Sequence, residues 1–369
     1  MSGPPALSSV VGGDGCERSL ILGIETSCDE TAASVIEDGR VVRSNVIASQ
    51  FDLHEKFGGV VPEIASRAHI ERILPVVEES LESAGIGADE LTAIAVGNRP
   101  GLIGSLLVGV SAAKTMAWVL GKPLVGVDHV RAHLYAAALD DEQIAYPALG
   151  LVVSGGHTSL YRVDSATEMA LMGRTIDDAA GEAFDKAAAI LGLGFPGGPI
   201  LDKTARGADP KAIRFPRTLL GKESLDFSFS GLKTSLLYHV CGQPQGRGSD
   251  AGFTKSAADL SEREIADVAA SFQAAVVDVL IKKLERGLDV MASQGAGARS
   301  IVIGGGVSAN SALREAVLGL GESRDLPVRL PRMVFCVDNA AMIAGLGHHQ
   351  FLAGETAGLD LEAAATARV

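Results

Sequence analysis

"LILGIETSCDETAASVIEDGRVVRSNVIAS", residues 20–49, decides the fold. Its apolar runs, Leu20–Ile24, Ala32–Ile36 and Val41–Val46, are separated by polar turns, and "EDGR" has the composition of a hairpin turn. Three short strands are expected. At 147 the pattern restarts: "PALGLVVSGGHTSLYRVDSATEMALMG" is again strand, polar turn, strand and a candidate third strand. Helical stretches follow each block. "PEIASRAHIERILPVVEESLESAG" (62–85) ends at glycine, with a break or kink expected at Pro75. "LTAIAVG" (91–97) and "PLVGVDH" (123–129) read as strands on either side of the helical "GLIGSLLVGVSAAKTMAWVLG" (101–121). In the second half, "SIVIGGGVSANSALREAV" (300–317) is strand, glycine turn, helix. Two lobes, each a mixed sheet flanked by helices, is the economical α/β reading.

The expected boundaries are a flexible tail at 1–18, lobe I at 19–146 with a helical return near 338–352, lobe II at 147–337, and a frayed tail at 353–369. Within lobe II, residues 203–258 look like an irregular insertion, with "HVCGQPQGRGSDAGFTKS" a flexible loop.

A chain of 369 residues suits two domains. Its formal net charge of -13 argues against sequence-independent coating of nucleic acid, while leaving room for a local basic patch. The four cysteines, Cys16, Cys28, Cys241 and Cys336, form no C-x-x-C pair, which fits a reducing cytoplasm better than a disulfide framework. No uninterrupted apolar run reaches the roughly 18 residues of a membrane span, so no membrane role is expected.

"VVSGGHTS" (152–159) and "VIGGGVSAN" (302–310) share one design: a buried strand runs into glycines, then small hydroxyl residues. Glycines let backbone N–H groups converge on an anion, and the second turn also enters a helix, whose N-terminus favours negative charge. "IETSCDET" (24–31) offers hydroxyls and carboxylates at the matching turn of the first lobe. Any one glycine pair can serve packing alone; three such turns together suggest a nucleotide held between the lobes. Neither a P-loop nor a clean G-x-G-x-x-G is present. In "TIDDAAGEAFDKAAAILGLGFPGGPILDKTARG" (175–207), Asp178, Glu182 and Asp185 fall at i, i+4 and i+7. That stripe is either a solvated face or, with "FPGGP" behind it, one side of a small site flanked by Asp185 and Asp202.

"GVDHVRAHLYAAAL" (126–139) places His129 and His133 one turn apart on a helix. The spacing suits a metal, and equally a pair of solvated or capping histidines. A helical metalloprotease needs H-E-x-x-H; Val130 follows His129 and no carboxylate lies between the two, so that reading lacks its base.

Nine ordered motifs now stand together: "GIETSCDET", "GGVVPEIASRAHIE", "HVRAHL", "VVSGGHTSL", "TIDDAAGEAFDKAA", "GFPGGP", "FSFSGLKT", "GGGVSAN" and "DNAAMIA". Over about residues 19–350 the chain resembles the tRNA N6-adenosine threonylcarbamoyltransferase family (TsaD type). The resemblance implies a two-lobed actin-like ATPase (ribonuclease H-like) fold with a nucleotide cleft between the lobes. It implies a cytoplasmic acyltransferase that moves a threonylcarbamoyl group from threonylcarbamoyl-AMP to N6 of adenosine 37, 3′ of the anticodon, in tRNAs reading codons that begin with adenine. It implies one divalent metal, iron or zinc, held by His129, His133 and Asp338. It places the adenylate, or ATP, against Val152, Val153, Ser154, Gly155 and Gly156, with Asp185, Gly198, Asp202 and Asn310. Its implied partners are tRNA, a degenerate actin-like paralogue and a small P-loop ATPase. Asn98 and Arg99 depart from the family pattern, which has small residues and glycine before Pro100.

The expected chemistry is attack of adenine N6 on the carbamoyl carbonyl with loss of AMP. A metal stabilises charge on the leaving phosphate, backbone N–H groups of Ser154–Gly156 assist, and Asp29 or Glu30 orients or deprotonates the amine. Residues 203–233 carry seven Lys/Arg against three Asp/Glu, a candidate tRNA contact or simply a solvated surface. Two other readings fit the same frame: a sugar- or acid-kinase-like phosphotransferase, and a nucleotide-sensing scaffold without catalysis.

Overall fold

The computed structural model describes residues 18–141, 143–245 and 253–366. Residues 1–17 of the tail expected at 1–18, and 246–252 in the middle of the expected loop, lie outside them. In chain order the elements begin with strands β1 (Leu20–Glu25), β2 (Glu30–Glu37), β3 (Val41–Val42) and β4 (Val46–Ser49). Then come α1 (Phe51–His54), α2 (Pro62–Ala84), β5 (Ala93–Arg99), α3 (Ile103–Leu120), β6 (Leu124–Asp128) and α4 (His129–Tyr135). The second half contributes β7 (Ala148–Val153), β8 (Thr158–Val163), β9 (Met169–Arg174), α5 (Ala180–Ile190), α6 (Gly197–Ala205), α7 (Ser230–Cys241) and α8 (Glu262–Ser293). It closes with β10 (Ser300–Gly304), α9 (Ser311–Arg324), β11 (Val328–Arg329) and α10 (Ala340–Leu352). The single strand expected over Val41–Val46 is two, β3 and β4, each paired antiparallel with β2.

Contacts divide the chain into two units, one formed by the residues up to Gln143 and from Pro331 onward, the other by Ile144–Leu330. Each is built on one mixed sheet. The first runs β3-β2-β1-β5-β6, with β4 also on β2; β1 is antiparallel to β2 and parallel to β5. The second runs β11-β10-β7-β8-β9, with β7 antiparallel to β8 and parallel to β10. The same plan thus occurs twice. Strands β1 and β7 are buried along their whole length, which is why both read as apolar runs rather than alternating ones.

Helix ends follow the sequence. Pro62 opens α2, and Gly85 closes it in the left-handed conformation. Ser261 and Glu264 form a capping box on α8. Pro75 neither breaks nor ends α2. Both Pro75 and Glu71, whose carbonyl it deprives of a helical donor, lie on the exposed face of the helix. Helix α3 is long and apolar enough to cross a membrane by length and composition alone. It packs on the first unit's core through Leu106, Val110, Ala113 and Ala117, and leaves Leu107 exposed beside Ile70 and Leu74 of α2.

Two expectations need correction. Among its described residues, the segment expected as an irregular insertion, 203–258, contributes Phe215, Phe227, Phe229, Leu232, Leu236 and Val240 to the second unit's core with Phe184 and Phe272. Each such burial contributes about 1.5–3 kcal/mol. The segment looked like an insertion because its aromatics have neither helical nor strand period. Residues 353–366 are not frayed. Ala357 bridges to Leu124, and Leu361 and Ala363 pack on the first unit's core. The Asn98 amide donates to the Glu362 carbonyl, and Ala364 N–H to the Asn98 carbonyl.

Candidate functional site

In the first unit, β6 delivers Asp128 to the start of α4. Its carboxylate accepts from the N–H groups of Val130 (3.0 Å) and Arg131 (3.2 Å) and caps the helix. Arg99 Nε lies 3.8 Å from the other oxygen of Asp128. The cap fixes where the helix begins, and so sets His129 and His133 on one face. Asp338 arrives just before α10, whose N-cap Asn339 accepts from Met342 N–H. The ligand atoms of His129, His133 and Asp338 lie within 4.8 Å of one another. His133 Nε2 is 3.2 Å and His129 Nε2 3.7 Å from Asp338 Oδ1. Both imidazoles are buried, and His133 Nε2 meets the Asp338 carboxylate only as an ion-pair contact outside hydrogen-bond geometry. A buried polar atom without a hydrogen bond costs about 1–3 kcal/mol, and a cation removes that cost. Two imidazoles and one carboxylate suit zinc or another first-row divalent metal and leave coordination positions open. The residues present therefore fit a metal.

Behind His129 stands a group that sequence reading missed. Glu25, at the end of β1, places Oε2 3.1 Å from His129 Nδ1, and Ser27 Oγ is also 3.1 Å from it. Burial opposes charge on His129, but Glu25 and then Asp338 outweigh it and push its pKa up to about 9. Burial holds His133 below the ordinary histidine value. Only the quoted motif "GIETSCDET" signalled Glu25.

Asp29 and Glu30 sit where β1 turns into β2. Ser49 Oγ donates to Glu30 Oε1 at 3.0 Å. Burial, with the Asp29 charge beside it, pushes Glu30 up to about 7. His69 of α2 braces this turn: its Nε2 lies 3.0 Å from the Cys28 carbonyl and its Nδ1 2.8 Å from Thr31 Oγ1. Donation from Nε2 leaves Nδ1 to accept from the Thr31 hydroxyl.

In the second unit the glycine turns meet. Gly181, at the start of α5, approaches Ser154 so closely that a Cβ would stand 2.5 Å from its carbonyl oxygen. Gly305 (φ +92°) does the same to the Val153 carbonyl at 2.4 Å. Gly197 packs on Asp185 of α5. Their neighbours differ: a Cβ on Gly155, Gly156, Gly198 or Gly306 would meet nothing within 4 Å. One set of glycines lets the turns touch, and the other leaves open space above the backbone. Asp185 accepts from Gly197 N–H at 2.8 Å. Burial raises its pKa, against the amides of Gly197 and Gly198, which lower it.

The other predicted residues have the following surroundings. Val152 and Val153 are fully buried in β7, so only their backbone can serve a ligand. Ser154 N–H is committed to the His157 carbonyl, which leaves the amides of Gly155 and Gly156 as the turn's candidates. Asp202 accepts from Ser311 N–H (3.2 Å) and Oγ (2.6 Å), and Arg206 lies against its other oxygen. Asn310 caps α9 through Leu313 N–H and donates to Gln273. Asp178 precedes α5 rather than riding on it; Lys186 reaches both Asp178 and Glu182. In the basic segment, Arg217 pairs with Asp278, whereas Arg214 is exposed.

The sequence pattern described as "TsaD: tRNA N6-adenosine threonylcarbamoyltransferase" matches residues 41–345. A protein of that name from Anaeromyxobacter sp. is 51% identical over 93% of this chain and 98% of its own. Another, from Symbiobacterium thermophilum, is 48% identical over 95% of this chain and 96% of its own. Among solved structures, HypF of T. kodakarensis aligns with a TM-score of 0.56 at 14% identity, over 92% of this chain and 48% of that one. That likeness speaks for the fold alone.

Proposed function

The chain belongs to the tRNA N6-adenosine threonylcarbamoyltransferase family, and from that premise we propose that it transfers the threonylcarbamoyl group of threonylcarbamoyl-AMP to N6 of adenosine 37 in tRNAs reading codons that begin with adenine. The N6 nitrogen bonds to the carbamoyl carbon, the bond from that carbon to the phosphate oxygen breaks, and AMP leaves with the electron pair. The N6 proton passes to a base. Glu30, with its pKa near neutrality, suits that role, and Asp29 the orientation of the amine.

The observation that carries the reading is the convergence of His129, His133 and Asp338, with His133 Nε2 buried against the Asp338 carboxylate outside hydrogen-bond geometry. These residues would hold one divalent metal, Fe(2+) or Zn(2+). When bound it supplies Lewis-acid stabilisation of charge on phosphate oxygen. The adenylate is assigned to the second unit. Gly155, Gly156, Gly198 and Gly306 give it open backbone, and Asp185 and Asp202 hold the turns in place. Exocyclic N6 is a weak nucleophile, so rigid positioning contributes much of the rate.

Arg214 and Lys222, exposed on the 203–233 segment, are assigned to the tRNA backbone. The adenylate needs a separate synthase, and a degenerate actin-like paralogue and a small P-loop ATPase are the proposed protein partners, in the cytoplasm. Nucleoside analysis of tRNA incubated with the protein, its partners and a supply of the adenylate tests the assignment. Threonylcarbamoyladenosine should appear; unmodified adenosine throughout would reject it.

A further inference from the structure

We propose that Glu25 is the positioning carboxylate of the metal centre: it holds the Nδ1 proton of His129 and so turns Nε2, bare of hydrogen, toward the cation. The assignment rests on the metal reading given above.

Glu25 is a fully buried carboxylate at the end of a core strand. A charge in that place costs several kcal/mol unless it is met by donors. It is met twice. Oε1 accepts from Ser27 N–H at 2.5 Å, and Oε2 faces His129 Nδ1 at 3.1 Å. The first contact fixes the carboxylate relative to the turn, and the second fixes the ring. An imidazole that donates from Nδ1 presents a lone pair at Nε2, the atom that lies toward Asp338. Carboxylate on one ring nitrogen and metal on the other is a common arrangement, and it raises the basicity of the ligand.

The neighbouring strand makes room for this contact. A Cβ on Gly97 of β5 would stand 2.6 Å from Glu25 Oε2. Gly97 is not in the left-handed region, so conformation does not explain the glycine; space for the carboxylate does. Gly101 makes the same allowance next to the turn, where a Cβ would stand 2.6 Å from the Ser27 carbonyl oxygen. That carbonyl accepts from Leu102 N–H, so the loop after β5 bears on the residue that orients Glu25. A merely structural Glu25 would need only a neutral acceptor for Ser27 N–H. An orienting one needs its charge.

The test is metal affinity, measured without any turnover. Full-length protein is stripped with a chelator and titrated with Zn(2+) against a chromophoric competitor. The wild type should bind one equivalent. Glu25→Gln, which keeps an acceptor for Ser27 but loses the charge, should bind about 10–100-fold more weakly at an unchanged urea midpoint. Gly97→Ala should weaken binding too, by pushing the carboxylate off the ring. Nitrogen NMR of histidine-labelled, zinc-loaded wild type gives a check that needs no variant: His129 should carry its proton on Nδ1. Glu25→Gln binding within twofold of wild type, or a proton on Nε2, overturns this assignment alone. A wild type that takes up no zinc overturns the metal reading together with it.

Discussion

Asn98 Nδ2 donates to the Glu362 carbonyl at 2.9 Å, tying the end of β5 to the last stretch of described chain. The side chain at position 98 is buried and bonded to a segment that reads as a loose tail. The contact predicts that truncation after Gly354 lowers the apparent melting temperature. The loss removes the Leu124–Ala357 bridge, the packing of Leu361 and both Asn98 bonds. Asn98→Ala alone should cost about 1 kcal/mol. Thermal unfolding of the three proteins checks the order: wild type, then Asn98→Ala, then the truncation.

Asp177 supports the next prediction. Its carboxylate accepts from Ser228 Oγ (2.6 Å), Phe229 N–H (2.8 Å) and Ser230 Oγ (2.8 Å), and so anchors the "FSFS" turn that opens α7. Burial alone would raise its pKa, but these donors outweigh it and hold the carboxyl below the usual value. Asp177→Ala should destabilise the protein by about 2 kcal/mol in urea, with Asp177→Asn intermediate. Since the folded-state pKa is depressed, the gap between wild type and Asp177→Ala should close as pH falls through that value.

His348 gives a pH dependence of the same sense at a higher pH. Burial, with the nearby His349, pushes its pKa down to about 4 from 6.5, although Asp38 opposes the shift. Its Nδ1 lies 3.1 Å from Ser19 Oγ. Between pH 6.5 and 4 the unfolded chain binds this proton and the folded chain does not, so stability falls as pH falls through the window. The effect is on the order of 2–3 kcal/mol. His348→Gln should flatten the curve there, and melting temperatures measured from pH 7 to 4 would show it. Parallel wild-type and variant curves would contradict the assignment.

Charge reversal separates the roles inside the basic segment. Arg214→Glu with Lys222→Glu should weaken tRNA binding several-fold and flatten its salt dependence, leaving the urea midpoint within about 0.5 kcal/mol. Arg217→Glu should also lower stability, because it breaks the pair with Asp278. Filter binding at two salt concentrations, beside urea unfolding, distinguishes the cases.

Much of this was legible in the sequence. Two apolar blocks with hairpin turns reported two mixed sheets, because strands buried on both faces leave continuous runs. The candidate metal cluster was legible only through the family resemblance, since no local spacing joins Asp338 to His129 and His133; the return of α10 to the first sheet does. Glu25 escaped because its partner lies on another strand's helix, and a carboxylate at a strand end carries no periodic signal. Phe215, Phe227 and Phe229 escaped for the opposite reason: core residues on irregular backbone have no period to read. The contacts of Asp202 and Asn310 with the start of α9 carry no signal in the sequence, because both partners are set by the fold around that helix.

The central claim is that a cation at His129, His133 and Asp338 supports transfer of threonylcarbamoyl to tRNA. The most direct test measures metal content and nucleoside product together, on wild type, stripped protein, stripped protein resupplied with Fe(2+) or Zn(2+), and His129→Ala. The account predicts about one metal per chain in the wild type, loss of metal and product on stripping, recovery of both on resupply, and neither in a folded His129→Ala protein. Full product formation by stripped protein or by metal-free His129→Ala would contradict it.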